Sequence, residues 1–461
     1  MNPVLLIAIP LLFAFLSIMN KKFARPLLLV ALLLDVYLVF TISKGLYSIG
    51  GFSQYGINLL VDQYSLIGLM VVNVVFFLTV VTNCKEVKRL STVLLVALAG
   101  VNGLLLTNDL FNLFVFLEIV GISAYLITSG NKRPLATFNY LVQGTVGSGL
   151  YLLGLILLYS MTGTLNMALI LPTIVDKAIP LSNLALPFML MFIGLGVEAK
   201  LLPFNSWVKG VLQNANALTS VLIAGVFATT IALTFGRLLS TVFVLGSISN
   251  IVLVILAVTM LAGEVAAFAS KRIREVLLFS AIAQSGLIIL LFANGLVIPA
   301  IMLIIANIVS KYILFTITGK MVDGTKTDEI ESLQGVFSKN KLVGFAFTVA
   351  SLSVIGLPLF FGFIVKLNIL TSLFSQYQLF LSALILVVSL IEGTYFVKLL
   401  IKLWYSVGEV KTFKVDALVK VVTLIFALGL IVFGVYTKPL TDSLMTVPEE
   451  MMEAIAERGN F

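Results

Sequence analysis

Eight ionisable side chains lie inside long apolar stretches of this sequence, where charged groups are rare. They are Asp35, Glu118, Glu198, Lys200, Glu264, Lys311, Lys366 and Glu392. A charge at the centre of a bilayer costs at least about 2.5–3.5 kcal/mol on insertion scales, so it usually faces a partner or an ion path. A buried structural ion pair explains any one of them alone. Eight along one chain favour a continuous polar axis for protons or cations.

The residue types that are missing exclude several other kinds of chemistry. The sequence has one cysteine, Cys84, and no histidine. It therefore has no internal disulfide, cysteine-based metal or iron–sulfur site, or histidine relay. We predict no cofactor in this chain. The net charge of +8 does not indicate nucleic-acid binding, because the basic residues form short clusters between apolar runs, as topology signals do.

Membrane helices are the elements that must position these charges. Of the 461 residues, 60% are hydrophobic and 11% are charged, against about 45–50% and 25% in ordinary soluble domains. A membrane helix needs about 20 mostly apolar residues. Counting such runs predicts an all-α integral membrane protein with about fourteen transmembrane helices, at 3–20, 26–44, 63–83, 90–107, 110–129, 137–160, 185–208, 217–240, 246–269, 274–293, 296–320, 342–372, 378–404 and 415–437.

Two of the predicted helices are broken by glycine and proline. The breaks are at Gly194, Gly196 and Pro203 in the seventh, and at Gly356, Pro358 and Gly362 in the twelfth. Such residues weaken the helical hydrogen-bond ladder, which a membrane tolerates only beside protein or a water-filled cavity. The breaks lie five helices apart, and an odd offset inverts topology. We therefore predict two inverted five-helix repeats, helices 4–8 and 9–13.

The predicted repeats divide the chain into four parts. Residues 1–89 hold helices 1–3, residues 90–240 the first repeat and residues 246–404 the second repeat. Residues 405–461 hold helix 14 and a short tail.

Lysine and arginine mark one side of the predicted membrane. They cluster in the connections after the odd-numbered helices, as at Lys85, Lys88 and Arg89 or at Lys132 and Arg133. We assign four to the opposite side: Lys177, Arg237, Lys438 and Arg458. Because cytoplasmic loops carry the positive excess, we predict a multi-pass protein of a prokaryotic cell membrane with both termini on the extracytoplasmic side.

Five segments carry more specific motifs. They are Asn108-Asp-Leu-Phe-Asn-Leu-Phe-Val-Phe-Leu-Glu118, Pro203-Phe-Asn-Ser-Trp207, Ser280-Ala-Ile-Ala-Gln-Ser-Gly286, Lys311-Tyr-Ile-Leu-Phe315 and Gly356-Leu-Pro-Leu-Phe-Phe-Gly-Phe-Ile-Val-Lys366. Together they resemble the antiporter-like subunits of complex I, of Mrp-type Na+/H+ antiporters and of membrane-bound hydrogenase or sulfane reductase-type complexes. The Asp-Leu-Phe-Asn run and the short C-terminus look most like the Mrp D-type branch.

The resemblance implies ion passage along a central axis. Glu118 would be the carboxylate whose ion pair with a lysine gates protonation. Lys311 would be the central relay and Lys366 the terminal lysine near the exit, and we place Glu392 on the same path. Asp35 and Glu264 lie outside this pattern, and we interpret them as structural.

The sequence departs from the family pattern where the family has lysines and histidines. Glu198 stands at the key lysine position of helix 7, Lys200 follows two residues later, and Thr229 stands at the lysine position of helix 8. A broken helix 7 would let Lys200 approach Glu118. Histidines common in relatives are replaced at Asn205, Gln284 and Asn307.

Three interpretations of these departures stay open. In the first, Glu118, Glu198 and Thr229 form an oxygen-rich site for a hard cation such as Na+. In the second, protons still pass through Lys200, Lys311 and Lys366. In the third, the chain is a non-pumping structural or coupling homologue.

We therefore expect an antiporter-like subunit that contributes to Na+/H+ translocation in a multisubunit respiratory-type complex, either redox-driven or Mrp-type. The implied partners are other membrane subunits, a peripheral redox arm and the ion itself, with no nucleic acid. The chain would do no chemistry of its own, and its complex would be a cation-translocating oxidoreductase.

Overall fold

The computed structural model describes residues 1–50, 56–130, 134–243, 249–406, 408 and 410–456. Lys132, Arg133, Arg458 and the first residues of predicted helix 9, 246–248, lie outside the described residues. The elements are α1 Leu5–Met19, α2 Ala24–Thr41, β1 Gly45–Ile49, β2 Ile57–Val61, α3 Gln63–Thr82, α4 Cys84–Leu106, α5 Leu110–Ser129, α6 Pro134–Thr162, α7 Met167–Asp176, α8 Leu181–Glu198, α9 Ser206–Leu212, α10 Ala217–Val221, α11 Ala228–Thr241, α12 Ser249–Ala269, α13 Ile273–Ala293, α14 Val297–Thr325, α15 Lys341–Ile355, α16 Phe361–Ser375, α17 Leu379–Trp404, α18 Ala417–Val435, α19 Lys438–Met445 and α20 Val447–Ala456.

The protein is a mostly helical, multi-pass membrane protein. Within the described ranges, twelve helices are long and apolar enough to cross a membrane, and four further apolar helices have 10–17 residues: α1, α7, α15 and α16. Large apolar side chains also point outward, among them Phe15, Phe40 and Val254, each more than half exposed. A lipid environment accommodates such surfaces, whereas water does not.

Each of the two glycine- and proline-containing runs forms two helices. In the first, α8 ends at Glu198 and α9 begins at Ser206. In the second, α15 ends at Ile355 and α16 begins at Phe361. The backbone is left-handed at Lys200, with φ +64°, and at Gly356, with φ +83°. A left-handed residue ends a helix because it turns the chain away from the helical path.

A β-hairpin, absent from the all-helical prediction, lies between α2 and α3. Strands β1 and β2 are antiparallel, with Gly45 opposite Val61 and Ile49 opposite Ile57. Glycine and polar residues interrupt the segment between α2 and α3, and pairing two strands satisfies backbone groups that would otherwise lack partners. The predicted C-terminal tail is also partly helical, and its helix α20 contacts the region of the hairpin. Glu450 of α20 accepts hydrogen bonds from Lys44 Nζ at 2.7 Å and from the Gln63 amide at 2.8 Å.

The chain forms two compact units, each made of separate stretches. The first unit comprises Met1–Trp207, Phe227–Val254 and Leu444–Phe461, and the second comprises Val208–Val226 and Ile255–Ser443. In the first, α6 packs on α8, and α4 packs on α1 and α5. In the second, α14 packs on α13 and α15. The four-part division of the chain stays a prediction.

Arg237, counted from the sequence among the charges on the side opposite the basic clusters, is buried within a helix. It lies in α11, which continues from α10 through the π-helical segment Leu222–Phe227, and is 5% exposed. Its guanidinium donates two hydrogen bonds, of 2.8 and 2.9 Å, to the Asp62 carboxylate, and it lies 4.9 Å from the centre of the Tyr64 ring. A buried arginine needs such a bidentate partner.

Candidate functional site

The first candidate site lies in the first unit and consists of Tyr125, Tyr140, Glu198, Lys200 and Trp207, which we name the Glu198 cluster. The Tyr140 hydroxyl donates a hydrogen bond of 2.9 Å to Glu198 Oε2. Tyr125 packs edge-on against Tyr140 with ring centres 4.7 Å apart, and Tyr140 stacks on Trp207 at 3.8 Å. Three aromatic side chains therefore hold one carboxylate at the end of α8.

Trp207 explains the Pro203–Trp207 motif. Its Nε1 donates a hydrogen bond of 3.1 Å to the Val197 carbonyl. The last carbonyls of a helix lack partners within the helix. The tryptophan therefore satisfies one of them and ties the chain after the break to the last turn of α8.

Glu118 of α5 lies near the Glu198 cluster. It is half-buried and interacts electrostatically with Glu198 and Tyr125. No hydrogen bond reaches its carboxylate from the part of the chain that the structure describes. Gly144 of α6 leaves the space for these groups, because a Cβ there would lie 1.8 Å from the Tyr125 hydroxyl and 3.0 Å from Glu198 Oε1.

Lys200 is 1% exposed, and its ammonium makes no hydrogen bond within the described residues. Its electrostatic partner is Glu198, whereas the sequence suggested Glu118. The left-handed backbone at Lys200 directly after α8 explains why two residues about 200° apart on a regular helix come to interact.

We expect Lys200→Met to destabilise the protein by about 2 kcal/mol. Removing one partner of a buried charged pair costs about 3–5 kcal/mol, because the other charge, here that of Glu198, stays buried and unbalanced. The ammonium without a hydrogen bond itself costs about 1–3 kcal/mol, so its removal offsets part of this loss. Thermal unfolding of the purified protein measures the effect. Lys209→Met is the control, since Lys209 is half exposed in its pair with Glu275 and should change stability by less than about 0.5 kcal/mol. An unfolding temperature for Lys200→Met equal to or above that of the control would contradict the prediction.

Thr229 is buried in α11. Among the described residues, no hydrogen bond joins its hydroxyl to Glu118 or Glu198. The described ranges also contain no group of three or more histidine, cysteine, aspartate or glutamate residues that could hold a metal ion.

The second candidate site lies in the second unit and consists of Glu264, Gln284, Lys366, Glu392 and Tyr395, which we name the Glu392 cluster. Glu392 of α17 is 1% exposed. Its Oε2 lies 2.6 Å from Lys366 Nζ of α16, and its Oε1 accepts a hydrogen bond of 2.8 Å from Gln284 of α13. Gln284 therefore supplies a hydrogen-bond donor to this carboxylate.

The helix break between α15 and α16 positions Lys366. Lys366 Nζ donates a hydrogen bond of 2.8 Å to the carbonyl of Ile355, the last residue of α15. Helix ends leave such carbonyls unpaired, so the break provides an acceptor for the ammonium. The lysine stem packs on Gly356, where a Cβ would lie 2.6 Å from Lys366 Cδ.

A small polar cavity adjoins this pair. Its volume is about 20 Å³, and its lining includes Gln284, Asn307, Ser310, Ser353 and Lys366. A cavity of this size holds about one water molecule when it has polar partners. Gln284 Oε1 and Ser310 Oγ are buried and have no hydrogen-bond partner among the described residues. Lys311, next to Ser310 on α14, is buried as well.

Glu264, interpreted from the sequence as structural, belongs to the Glu392 cluster. It is 1% exposed, and its Oε2 accepts a hydrogen bond of 2.8 Å from the Tyr395 hydroxyl. It also interacts electrostatically with Glu392 and Lys366. One signal for this cluster was present in the sequence: Glu392 and Tyr395 are three residues apart, which puts both side chains on one face of α17. Asp35 lies elsewhere, in the first unit, where Asn102 donates a hydrogen bond of 2.7 Å to its Oδ2.

Comparisons with known proteins show which family and which solved fold this chain resembles. The family described as NADH:quinone oxidoreductase/Mrp antiporter, TM, matches residues 107–392, more than half of the chain. The chain is 32% identical over 433 residues to the N subunit of the NADH-quinone oxidoreductase of Desulforudis audaxviator, covering 86% of this chain and 85% of the relative. It is 26% identical to the D-type subunit of the Na(+)/H(+) antiporter of Bacillus subtilis, covering 98% of each chain.

Its fold is similar to that of a chain in the structure of the membrane-bound sulfane sulfur reductase, an archaeal respiratory membrane complex. The TM-score is 0.91 at 27% identity, covering 98% of this chain and 99% of that chain. The family match and the relative at 32% identity confirm the resemblance carried by the sequence motifs. This protein belongs to the NADH:quinone oxidoreductase/Mrp antiporter transmembrane family.

Proposed function

We propose that this chain is a cation-translocating, antiporter-like subunit of a multisubunit membrane complex and passes H+ or Na+. The observation that carries the proposal is the Lys366–Glu392 pair, which is largely buried among apolar helices beside a small cavity that Gln284, Asn307 and Ser310 help to line. A buried lysine can lose and regain its proton when its surroundings change. Charged groups at membrane depth are otherwise costly, which makes an ion path the reason for keeping them.

The proposed path residues are distributed over the two units. In the first unit they are Glu118, Glu198 and Lys200, and in the second they are Lys311, Lys366 and Glu392. Each unit thus combines at least one lysine with at least one carboxylate, the pair of groups that can exchange a proton or take up a cation. Pro203, Gly356 and Pro358 interrupt the helices that carry Lys200 and Lys366.

The proposed architecture and partners extend this function. We propose fourteen membrane helices with inverted repeats in residues 90–240 and 246–404, and both termini on the extracytoplasmic side of a prokaryotic cell membrane. The relatives are named as subunits, and the structure at 27% identity is a respiratory membrane complex. We therefore propose other membrane subunits and a peripheral redox arm as partners, with a counter-gradient as the driving force in an Mrp-type assembly.

The ion itself distinguishes two versions of the proposal. In the sodium version, Glu118, Glu198 and Thr229 bind Na+ through oxygen atoms, which requires Thr229 to reach the two carboxylates. In the proton version, Lys200, Lys311 and Lys366 relay H+. The buried, unbonded ammonium of Lys200 next to Glu198 favours the proton version.

Transport by the reconstituted native complex tests the proposal. Uptake of Na+ and H+ into energised liposomes is measured for the wild type and for Glu118→Gln, Glu198→Gln and Lys366→Ala, with Asp442→Asn, an exposed carboxylate, as control. We expect each of the three variants, but not the control, to lower uptake at least about tenfold, the effect of losing about 1.4 kcal/mol of stabilisation. Normal uptake in all three, in an assembled complex, would mean that this chain has a structural or coupling role.

A further inference from the structure

The Glu392 cluster has more acidic than basic groups. Two carboxylates, Glu264 and Glu392, interact with one ammonium, that of Lys366. Tyr395 and Gln284 complete the cluster with hydrogen bonds and add no positive charge. A buried carboxylate without a balancing positive charge is strongly unfavourable. One further positive charge is therefore needed to make the cluster neutral.

Among the described residues, the cluster's carboxylate oxygen without a hydrogen-bond partner lies on Glu264. Both oxygens of Glu392 accept bonds, one from Gln284 and the other from Lys366. On Glu264, Oε2 accepts from Tyr395, whereas Oε1 is buried and has no hydrogen-bond partner within the described part of the chain. Gln284 Oε1 is a second buried oxygen without a partner among the described residues, and Gln284 lines the polar cavity.

We propose that Glu264 binds an exchangeable monovalent cation, H+ or Na+, at Oε1 and thereby acts as a further ion-binding residue of the translocation path. This inference rests on the proposed function. Oxygen atoms are the ligands that hard cations prefer, and a proton needs only the free carboxylate oxygen. Binding of either cation makes the cluster electrically neutral, and release returns it to a net negative charge that attracts the next cation.

The groups around Glu264 come from three helices. Lys366 is on α16, Glu392 and Tyr395 are on α17, and Gln284 is on α13. Helix α12 contacts α13 closely, since a Cβ on Gly263 would lie 2.7 Å from the Ala283 amide nitrogen. The single cation of the cluster, Lys366, acts on both carboxylates. The position and protonation of Lys366 can therefore respond to whether Glu264 holds a cation. This response couples cation binding at Glu264 to the proposed translocation path.

Infrared difference spectroscopy of the reconstituted complex tests binding without transport. The buffer over the sample is switched between low and high pH at fixed Na+, and between low and high Na+ at fixed pH. We expect wild type to show a carboxyl band that responds to one or both switches and that is absent in Glu264→Gln. Glu264→Asp, which keeps the carboxylate, should restore a shifted band. Asp35→Asn is the matched control, because Asp35 is also fully buried with one oxygen lacking a partner among the described residues.

The two switches identify the cation. A band that responds to pH alone means H+, and one that also responds to Na+ means Na+. An identical set of bands in wild type and Glu264→Gln overturns the inference, since Glu264 then binds no exchangeable cation. A band lost equally in Asp35→Asn also overturns it, because the signal is then not specific to Glu264.

Transport separates this inference from the proposed function. In an assembled complex, Glu264→Gln should raise the cation concentration for half-maximal uptake by about tenfold, the change that about 1.4 kcal/mol of lost binding produces. Normal uptake by Glu264→Gln together with loss in Lys366→Ala would overturn the role of Glu264 alone. Normal uptake in both, with the Glu264 band present, would overturn the proposed function and show a cation site that does not serve transport.

Discussion

Replacing Lys366 by methionine is expected to abolish ion uptake and to destabilise the protein by about 3 kcal/mol. The change leaves Glu392, which is 1% exposed, without its cation. Removing one partner of a buried pair costs about 3–5 kcal/mol, because the other charge stays buried and unbalanced. Because the Lys366 side chain is still 11% exposed, we expect a loss of stability near the lower end of this range. Thermal unfolding of the purified protein and uptake by the reconstituted complex measure the two effects.

The double variant Lys366→Met/Glu392→Gln separates folding from transport. It removes both charges and keeps a glutamine that Gln284 can still contact, so most of the lost stability should return. Uptake should stay absent, because the exchanging groups are gone. Lys402→Met is the control, since Lys402 pairs with the exposed Glu331 and an exposed pair contributes little. If the double variant regained uptake, the pair would be structural and the path would not use it.

Replacing Arg237 by methionine is expected to have the largest effect on stability in the first unit, about 3–5 kcal/mol. The guanidinium makes both hydrogen bonds to Asp62 in a buried setting and contacts the Tyr64 ring. Asp62 also accepts a hydrogen bond of 2.8 Å from the Ser65 amide at the start of α3. Loss of Arg237 therefore leaves a buried carboxylate and loosens the contact between α3 and α11. The double variant Asp62→Asn/Arg237→Met should recover part of the stability.

The same pair predicts how stability depends on pH. Burial raises the pKa of Asp62, but the Arg237 guanidinium and the hydrogen bonds from Ser65 outweigh it and hold that pKa below its usual range. A lowered folded-state pKa stabilises the protein above the unfolded value of about 3.9. That stabilisation is lost as the pH falls towards the lowered pKa. Unfolding measured from pH 7 to pH 3 should show this loss in wild type and not in the double variant. An equal loss in both would assign it to other carboxylates.

Much of the fold could be predicted from the sequence, because the period and length of apolar runs determine what can cross a bilayer. Each predicted run overlaps one or more helices in the described residues, and a non-helical segment divides each of the two runs rich in glycine and proline into two helices. The β-hairpin between α2 and α3 was missed, since a short segment between two apolar runs has no strong period. Arg237, inside predicted helix 217–240, was counted among the charges of one membrane side, because its buried partner Asp62 could not be identified from the sequence.

Residue types and spacing alone determined the membrane setting, the absence of histidine and cysteine chemistry, the family and most of the charged residues of interest. Only the tertiary structure decided which charges meet. It paired Lys366 with Glu392 and Gln284, placed Lys200 beside Glu198, and brought Glu264 to Tyr395. The physical reason is that a charge in an apolar helix must find a partner, whereas that partner lies on another helix, at a sequence distance that no local pattern encodes.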